Sequence, residues 1–430
     1  MHLVPILVVA YACLLPRELA ITVLDAALFP YRLALILMAP FAIARLAQAP
    51  VRPSVIDFLV GFAAIWFVMS LLMTTSVEAG LVSGTANALD FGLAYLLGRA
   101  SVRAPEDLRL TMWYLLPGIL LLVLLLAAES LSHRILLRPM LANLLDLPDP
   151  YIFLQARFGL LRGMGPFPHP ILGGVYLALF LPFAWYLSHN GWRRLVGCCA
   201  ALGMIFTVSS TALIGVLIAG GFIVADIVQR LVRLPVVQIM MFVLGMLALA
   251  ISIGSDSGLI SFIIRNLTFD SSSGYYRQAI WEFGGAEALA NPWFGIGQRD
   301  WARPQFMYSN SVDAYWLVLT MNHGFPALVA VLLAMIGTFV AVWRTQRFRH
   351  PADANVGKAL MLFMVIVVVS GFTVHLWEAV YCWIIVIMGC GVSLAGQARQ
   401  APRPQWVIPP STMVPAWDQG GTSRPAAAHN

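Results

Sequence analysis

Apolar stretches about 20 residues long, the length that carries an α-helix across a hydrocarbon core, follow one another from residue 3 to residue 395, with two long interruptions near 130–167 and 254–312. A backbone in hydrocarbon has to satisfy its own hydrogen bonds, and these runs are too long for the strands of a barrel. Composition agrees: 60% of the residues are hydrophobic and 11% charged, with a mean hydropathy of +0.82. Soluble domains do not have this balance. The expected class is an all-α polytopic membrane protein.

Hydropathy places twelve spans, at 3–22, 28–47, 55–73, 79–97, 111–129, 168–187, 192–207, 209–228, 236–253, 314–342, 358–374 and 377–395. The first contains Pro16, Arg17 and Glu18, and the turn at Val208 is very tight. Basic residues of short loops set the orientation. Arg45 and Arg52, then Arg99, Arg103 and Arg109, then Arg193 and Arg194, then Arg230 and Arg233, and finally Arg344, Arg347, Arg349 and Lys358 fall in alternate connections. Those connections are expected to be cytoplasmic, with both termini on that side. The formal net charge of +6 is spread one or a few residues per loop, which argues against nucleic acid.

The membrane domain is expected over residues 1–395. Residues 396–430, rich in Pro, Gly and Ala, read as a disordered cytoplasmic tail. The chain begins without the basic region of a secretory signal, so the first span is expected to be retained. Cys13, Cys198, Cys199, Cys382 and Cys390 lie in apolar segments without metal-ligand spacing, and packing explains them.

Two long segments remain on the outer side, near 130–167 and 254–312, and they concentrate the chain's unusual residues: Arg157, Arg162, Arg265, Arg277, Arg299 and Arg303. A guanidinium stays charged at any relevant pH and binds phosphate oxygens two at a time. The first segment ends in Arg162-Gly163-Met164-Gly165-Pro166-Phe167-Pro168-His169-Pro170, where glycines permit close approach of backbone and prolines hold the chain out of helix. His169 carries an imidazole that exchanges protons near neutral pH. In the second, apolar positions 279, 280, 283 and 286 predict an amphipathic helix over the bundle mouth with Arg277 near its start. A cation there opposes the helix dipole, which favours an anionic partner. Asp313 sits at the mouth of the next span, where burial at a helix centre would cost about 2.5–3.5 kcal/mol, so it should face a cavity, a cation or a substrate. His375 and Glu378 at the outer end of the last hairpin, and Trp281 beside Arg277, are supporting candidates, whereas His323 reads as a packing group.

These passages resemble the superfamily of bacterial O-antigen ligases and Wzy-type O-antigen and exopolysaccharide polymerases. The resemblance is carried by Arg162 to Ile171, by Arg277-Gln278-Ala279-Ile280-Trp281 with Asn291-Pro292-Trp293-Phe294-Gly295-Ile296-Gly297, and by Ser311-Val312-Asp313 leading to Gly324-Phe325-Pro326-Ala327. It implies a GT-C-like glycosyltransferase of the bacterial inner membrane, handling undecaprenyl-pyrophosphate-linked glycan at the periplasmic face, with a glycan or lipid acceptor and other envelope assembly proteins as partners. The family's donor-holding Arg falls on Arg277. Where ligases carry a His and an Asn-like residue ahead of Gly-x-x-small, this chain has Asp313 and Ala314, and Arg162 to Gly173 matches the polymerases' Arg-x10-Gly element. Polymerase is therefore the expectation, with transfer to lipid A core or a protein as the alternative.

The expected chemistry is inverting transfer in which Arg277, helped by Arg265, Arg162 or Arg157, holds the leaving phosphates and Asp313 or His169 takes the hydroxyl proton. No Asp-x-Asp metal cluster is present in the sequence, so metal-independent activity without a cofactor is expected. A transporter would keep its ionisable residues at mid-membrane, where Asp90 and Asp226 are the candidates. A non-catalytic assembly partner is the third reading.

Overall fold

The computed structural model describes residues 2–241 apart from 24, 25, 49–51, 149, 151 and 153, then 245 and 246, and 271–400 apart from 308 and 347–350. It is an α-helical bundle in which eight of the described helices are long and apolar enough to cross a membrane. Large apolar side chains such as Phe41, Phe58, Leu121, Leu124 and Leu217 point outward, as lipid-facing positions do and as a soluble surface does not. The protein is thus a multi-pass helical membrane protein.

Helices α2 (Pro30–Gln48), α3 (Val55–Thr74), α4 (Val77–Ser101) and α5 (Pro105–Ser132) are followed by short α6 (Leu137–Leu144), then α7 (Pro170–Leu187), α8 (Gly191–Leu202) and α9 (Ser210–Val232). After the segment outside the described residues come α10 (Ser271–Ala290), α11 (Tyr315–Thr345), α12 (Pro351–Ser370) and α13 (Glu378–Gln400). Polar caps start several of them: Ser76 accepts from the Ala79 amide and Ser209 from the Ala212 amide. Helices α7 and α13 are buried almost throughout. Helix α13 lies against α4 where Gly98 and Gly389 meet, since a Cβ on either would overlap the facing backbone at Val386 or Tyr95.

Two expected spans differ in form. The segment 3–22 holds only a nine-residue helix, α1 (Val4–Ala12), then a 3-10 turn over Arg17–Leu19 and a hairpin of β1 (Ile21–Val23) with β2 (Ala26–Leu28). Pro16 and the charged pair after it end the helix, yet the segment still crosses the bundle: His2 bonds Asp107 at one end, and Arg17 bonds Glu378 at 2.9 Å at the other. The segment 192–207 is α8 continued by a 3-10 turn over Gly203–Thr207. The expected span 236–253 lies largely, and Arg265 wholly, outside the described residues, as does 401–430. Helix α13 runs five residues past the boundary placed at 395.

The loops separated by the arginine count fall at opposite ends. One end gathers Arg99 with Asp57, Arg109 with Asp353, and Asp226 with Lys358 and Arg230. The other gathers the hairpin, α6, α10 and the 371–377 turn, and the unusual residues are here. Helix α11 breaks at this end. Gly324 has φ +79°, and a Cβ there would overlap the Trp293 carbonyl, which only glycine avoids. The break frees backbone groups that loop 291–297 takes up: Ile296 N–H donates to the Met321 carbonyl at 2.6 Å and Phe325 N–H to Pro292 at 2.8 Å. Two passages read separately in sequence are one structural unit.

Candidate functional site

The passage between α5 and α7 is folded around a buried carboxylate. Glu129, fully buried near the end of α5, accepts from the amides of Met164 and Gly165 at 2.9 and 2.8 Å through Oε2. Its Oε1 accepts from Leu136 and Leu137 at 3.1 and 3.4 Å. One side chain thereby fixes both the start of α6 and the Gly-rich passage. A small hairpin, β3 (Ala156–Arg157) with β4 (Leu160–Leu161), leads into that passage.

Arg162, 3% exposed, is held by this framework. Its Nε donates to the Thr207 carbonyl at 3.1 Å and its Nη1 to the Gln155 side chain. Its buried Nη2 has no hydrogen-bond partner among the described residues. Helix α10 delivers Arg277, 8% exposed, to the same place with its buried Nε also unpartnered. Ala279 and Ile280 of this helix are buried as expected, but Ala286 is exposed and Ala288 takes the inward position. The helix begins at Ser271, so Arg277 stands in its second turn rather than at its start.

The electrostatics of Arg157, Arg162, His169, Arg277 and Asp313 interlock. Burial lowers the Arg162 guanidinium to about 10, with Arg157 and Arg277 pushing the same way and Asp313 opposing. Burial lowers Arg277 too, and Asp313 partly offsets this. For half-buried Asp313, desolvation raises the carboxyl above its ordinary value against the pull of Arg277 and Arg162. His169 is pushed down to about 4 by burial and then by the three arginines. It is neutral near pH 7, and its Nδ1 accepts the Ile171 amide at 3.2 Å as the N-cap of α7. A neutral ring whose Nδ1 accepts this amide carries its proton on Nε2.

The supporting candidates divide. Trp281 donates to the Phe372 carbonyl at 3.1 Å and stacks on that ring, which braces α10 against the 371–377 turn. Glu378 is ion-paired with Arg17. His375 lines a separate cavity, touched through Trp377, whose ring lies 5.0 Å from His375 and 6.3 Å from His169. His323 is a packing group: Nδ1 lies 2.7 Å from Ser70 Oγ and Nε2 3.4 Å from Asn87. Arg299 and Arg303 serve their own loop, bonding the Ile296 carbonyl and the Asp300 carboxylate.

Sequence reasoning missed Glu129, although the desolvation cost that singled out Asp313 applies equally to a glutamate at the end of a span. It also missed that Asp90 is matched by Arg32 at 2.8 and 2.6 Å and by the Tyr31 hydroxyl at 3.0 Å. Asp226, paired with Lys358 and Arg230 at the far end, is not a mid-membrane group.

Fold and site together define a multi-pass helical membrane protein that collects buried, incompletely bonded arginines beside a carboxylate at one end of its bundle. Residues 195–332, from α8 through α9 and α10 to just past the break in α11, match the family model described as O-Antigen ligase. The match bears out the resemblance to the O-antigen ligase and Wzy-type superfamily, whose members are glycosyltransferase-like membrane enzymes acting on lipid-linked glycans. It includes Arg277 and Asp313 and leaves out Arg157, Arg162 and His169. No curated protein matches the chain.

Proposed function

We propose that this protein is a glycan polymerase of the O-antigen or exopolysaccharide type, working at the periplasmic face of the bacterial inner membrane. It transfers undecaprenyl-pyrophosphate-linked glycan to a sugar hydroxyl. The observation that carries this reading is the pair of buried guanidinium N–H groups without partners among the described residues, Arg162 Nη2 and Arg277 Nε, beside Asp313. A buried donor without an acceptor costs about 1–3 kcal/mol, and a pyrophosphate bound by both would remove that cost.

In the reaction the acceptor oxygen attacks the anomeric carbon as its bond to the pyrophosphate oxygen breaks, with inversion. Arg277 and Arg162, with Arg157 adding field, stabilise the charge that grows on the leaving phosphates. Asp313 takes the hydroxyl proton, and its raised pKa makes it a stronger base than an ordinary aspartate. His169, protonated on Nε2, donates a hydrogen bond to a phosphate oxygen. Positioning of two lipid-tethered reactants supplies the rest of the acceleration. The proposal includes activity without divalent cation.

The test is deletion in the host with wild-type, Arg277→Ala and Asp313→Ala complements, surface glycans and lipid-linked intermediates being resolved on one gel. Single repeat units in place of long chains identify a polymerase. The ligase reading is favoured by the matching family, that of O-antigen ligases, and full-length polymer stranded on its carrier would establish it. An unchanged pattern would remove both.

A further inference from the structure

Beside the arginine cluster lies a cavity of about 310 Å³, within the range of small-molecule sites, about 300–1,000 Å³. Its polar lining includes the amides Asn87, Gln298 and Asn322, and its apolar faces include Trp377, Tyr381 and Tyr315. The charges at its edge are already matched. Arg32 is bonded to Asp90 and Glu378 to Arg17. A site of this kind has no excess charge to hold an anion. It suits a ligand with flat C–H faces flanked by hydroxyls, since aromatic rings cover the faces and amides both donate to and accept from the hydroxyls.

Its position gives that chemistry a use. Trp377 and His375 line the cavity, and the Trp377 ring lies 5.0 Å from the His375 ring and 6.3 Å from that of His169, the N-cap residue beside the arginine cluster. Gln298, Asn322 and His375 also line the groove beneath loop 296–312, so the cavity continues toward the second outer segment. Asn87 and Asp90 on α4 lie ten and thirteen residues into a helix that starts at the site end, so a ligand can enter well below the bundle mouth.

We propose that this cavity is a sugar-binding subsite that takes a neutral glycosyl unit next to the pyrophosphate held by Arg277 and Arg162. The proposal rests on the head-group reading given above. It adds a division of labour, with charge recognised by the arginine cluster and hydroxyl pattern by the neighbouring cavity.

The test uses the full chain in lipid nanodiscs and two probes. One is the repeat-unit oligosaccharide released from the host's own surface glycan, and the other is the same oligosaccharide carrying a 1-diphosphate. Saturation-transfer NMR reads binding of the plain form, and calorimetry with inorganic pyrophosphate reads the cluster. Loss of one or two hydrogen bonds corresponds to about tenfold weaker binding, so Asn87→Ala combined with Asn322→Ala should weaken the plain form by that factor. Trp377→Ala should do the same by removing the stacking face. Pyrophosphate binding should hold in the double amide variant and fall in Arg277→Ala. If saturating 1-diphosphate form displaces the plain form, the cavity receives the donor's own sugar; if both bind together, it receives the acceptor. A plain form that does not bind the wild type, or binds all variants equally, overturns the subsite. Unaltered pyrophosphate affinity in Arg277→Ala would instead overturn the head-group reading and leave the sugar result standing alone.

Discussion

Glu129→Gln isolates the device that positions Arg162. The carboxylate accepts four backbone N–H groups, two in buried surroundings from Met164 and Gly165 and two partly buried from Leu136 and Leu137. An amide turns one oxygen into a donor that faces two donors. The cheaper flip aims the NH2 at Leu136 and Leu137, where the bonds are longer and water has access. Those two bonds are then lost at about 0.5–1.5 kcal/mol each, and the two that remain fall from charge-assisted to neutral strength, about 1 kcal/mol each, for a total near 3–5 kcal/mol. Glu129→Ala leaves all four donors without the carboxylate and costs more, a large part of a stability of about 5–15 kcal/mol. The assay is hydrogen exchange at the Met164 and Gly165 amides, with thermal stability and glycan output measured on the same preparations. The Gln variant should reach the membrane, unfold at lower temperature, exchange faster at both amides and make less glycan. The Ala variant should fail to accumulate. A Gln variant with wild-type exchange and stability would show that Glu129 does not organise this passage.

Other outcomes follow from the same geometry. Asp313 acts deprotonated and its pKa is raised, so turnover should fall on acidification with a midpoint above the ordinary Asp value of about 3.9; the pH profile of transfer measures it, and Asp313→Asn should remove activity at every pH. His169 and His375 are held near a pKa of about 4 by burial, so between there and about 6.5 the unfolded chain binds more protons than the folded one. Stability should therefore drop as pH falls through that window, and His375→Gln should flatten the slope in a thermal melt at several pH values. Gly324→Ala places a Cβ against the Trp293 carbonyl at a positive φ, so the variant should be lost from the membrane fraction, whereas Gly220→Ala in α9, with open space around it, should accumulate normally.

Hydropathy made the spans legible because lipid imposes one length on every crossing helix, and the broken first crossing was foreshadowed by Pro16, Arg17 and Glu18. The arginine cluster was partly legible as well. Arg162, Arg277, Asp313 and His169 were each conspicuous by type and place, but their convergence was not readable from positions up to 151 residues apart in the chain. The partners that neutralise Asp90 and surround Glu129 were hidden for the same reason. Arg32 is 58 residues from Asp90 and Gly165 is 36 from Glu129, and hydropathy carries no pairing information. His169 shows a different limit: the tautomer of its neutral ring depends on one backbone amide, that of Ile171, which residue type alone does not reveal.

The seam where loop 291–297 enters the break in α11 also determines how this protein can be recombined. A cut at the start of α11 would separate the Ile296 and Phe325 amides from the carbonyls that receive them. A chimera that exchanges the segment ahead of α11 with that of a protein matching the same family model therefore has to carry the first part of α11 with it, joined beyond Phe325. The exchangeable module ends within a helix rather than at its start, and the remainder of that helix stays with the host scaffold.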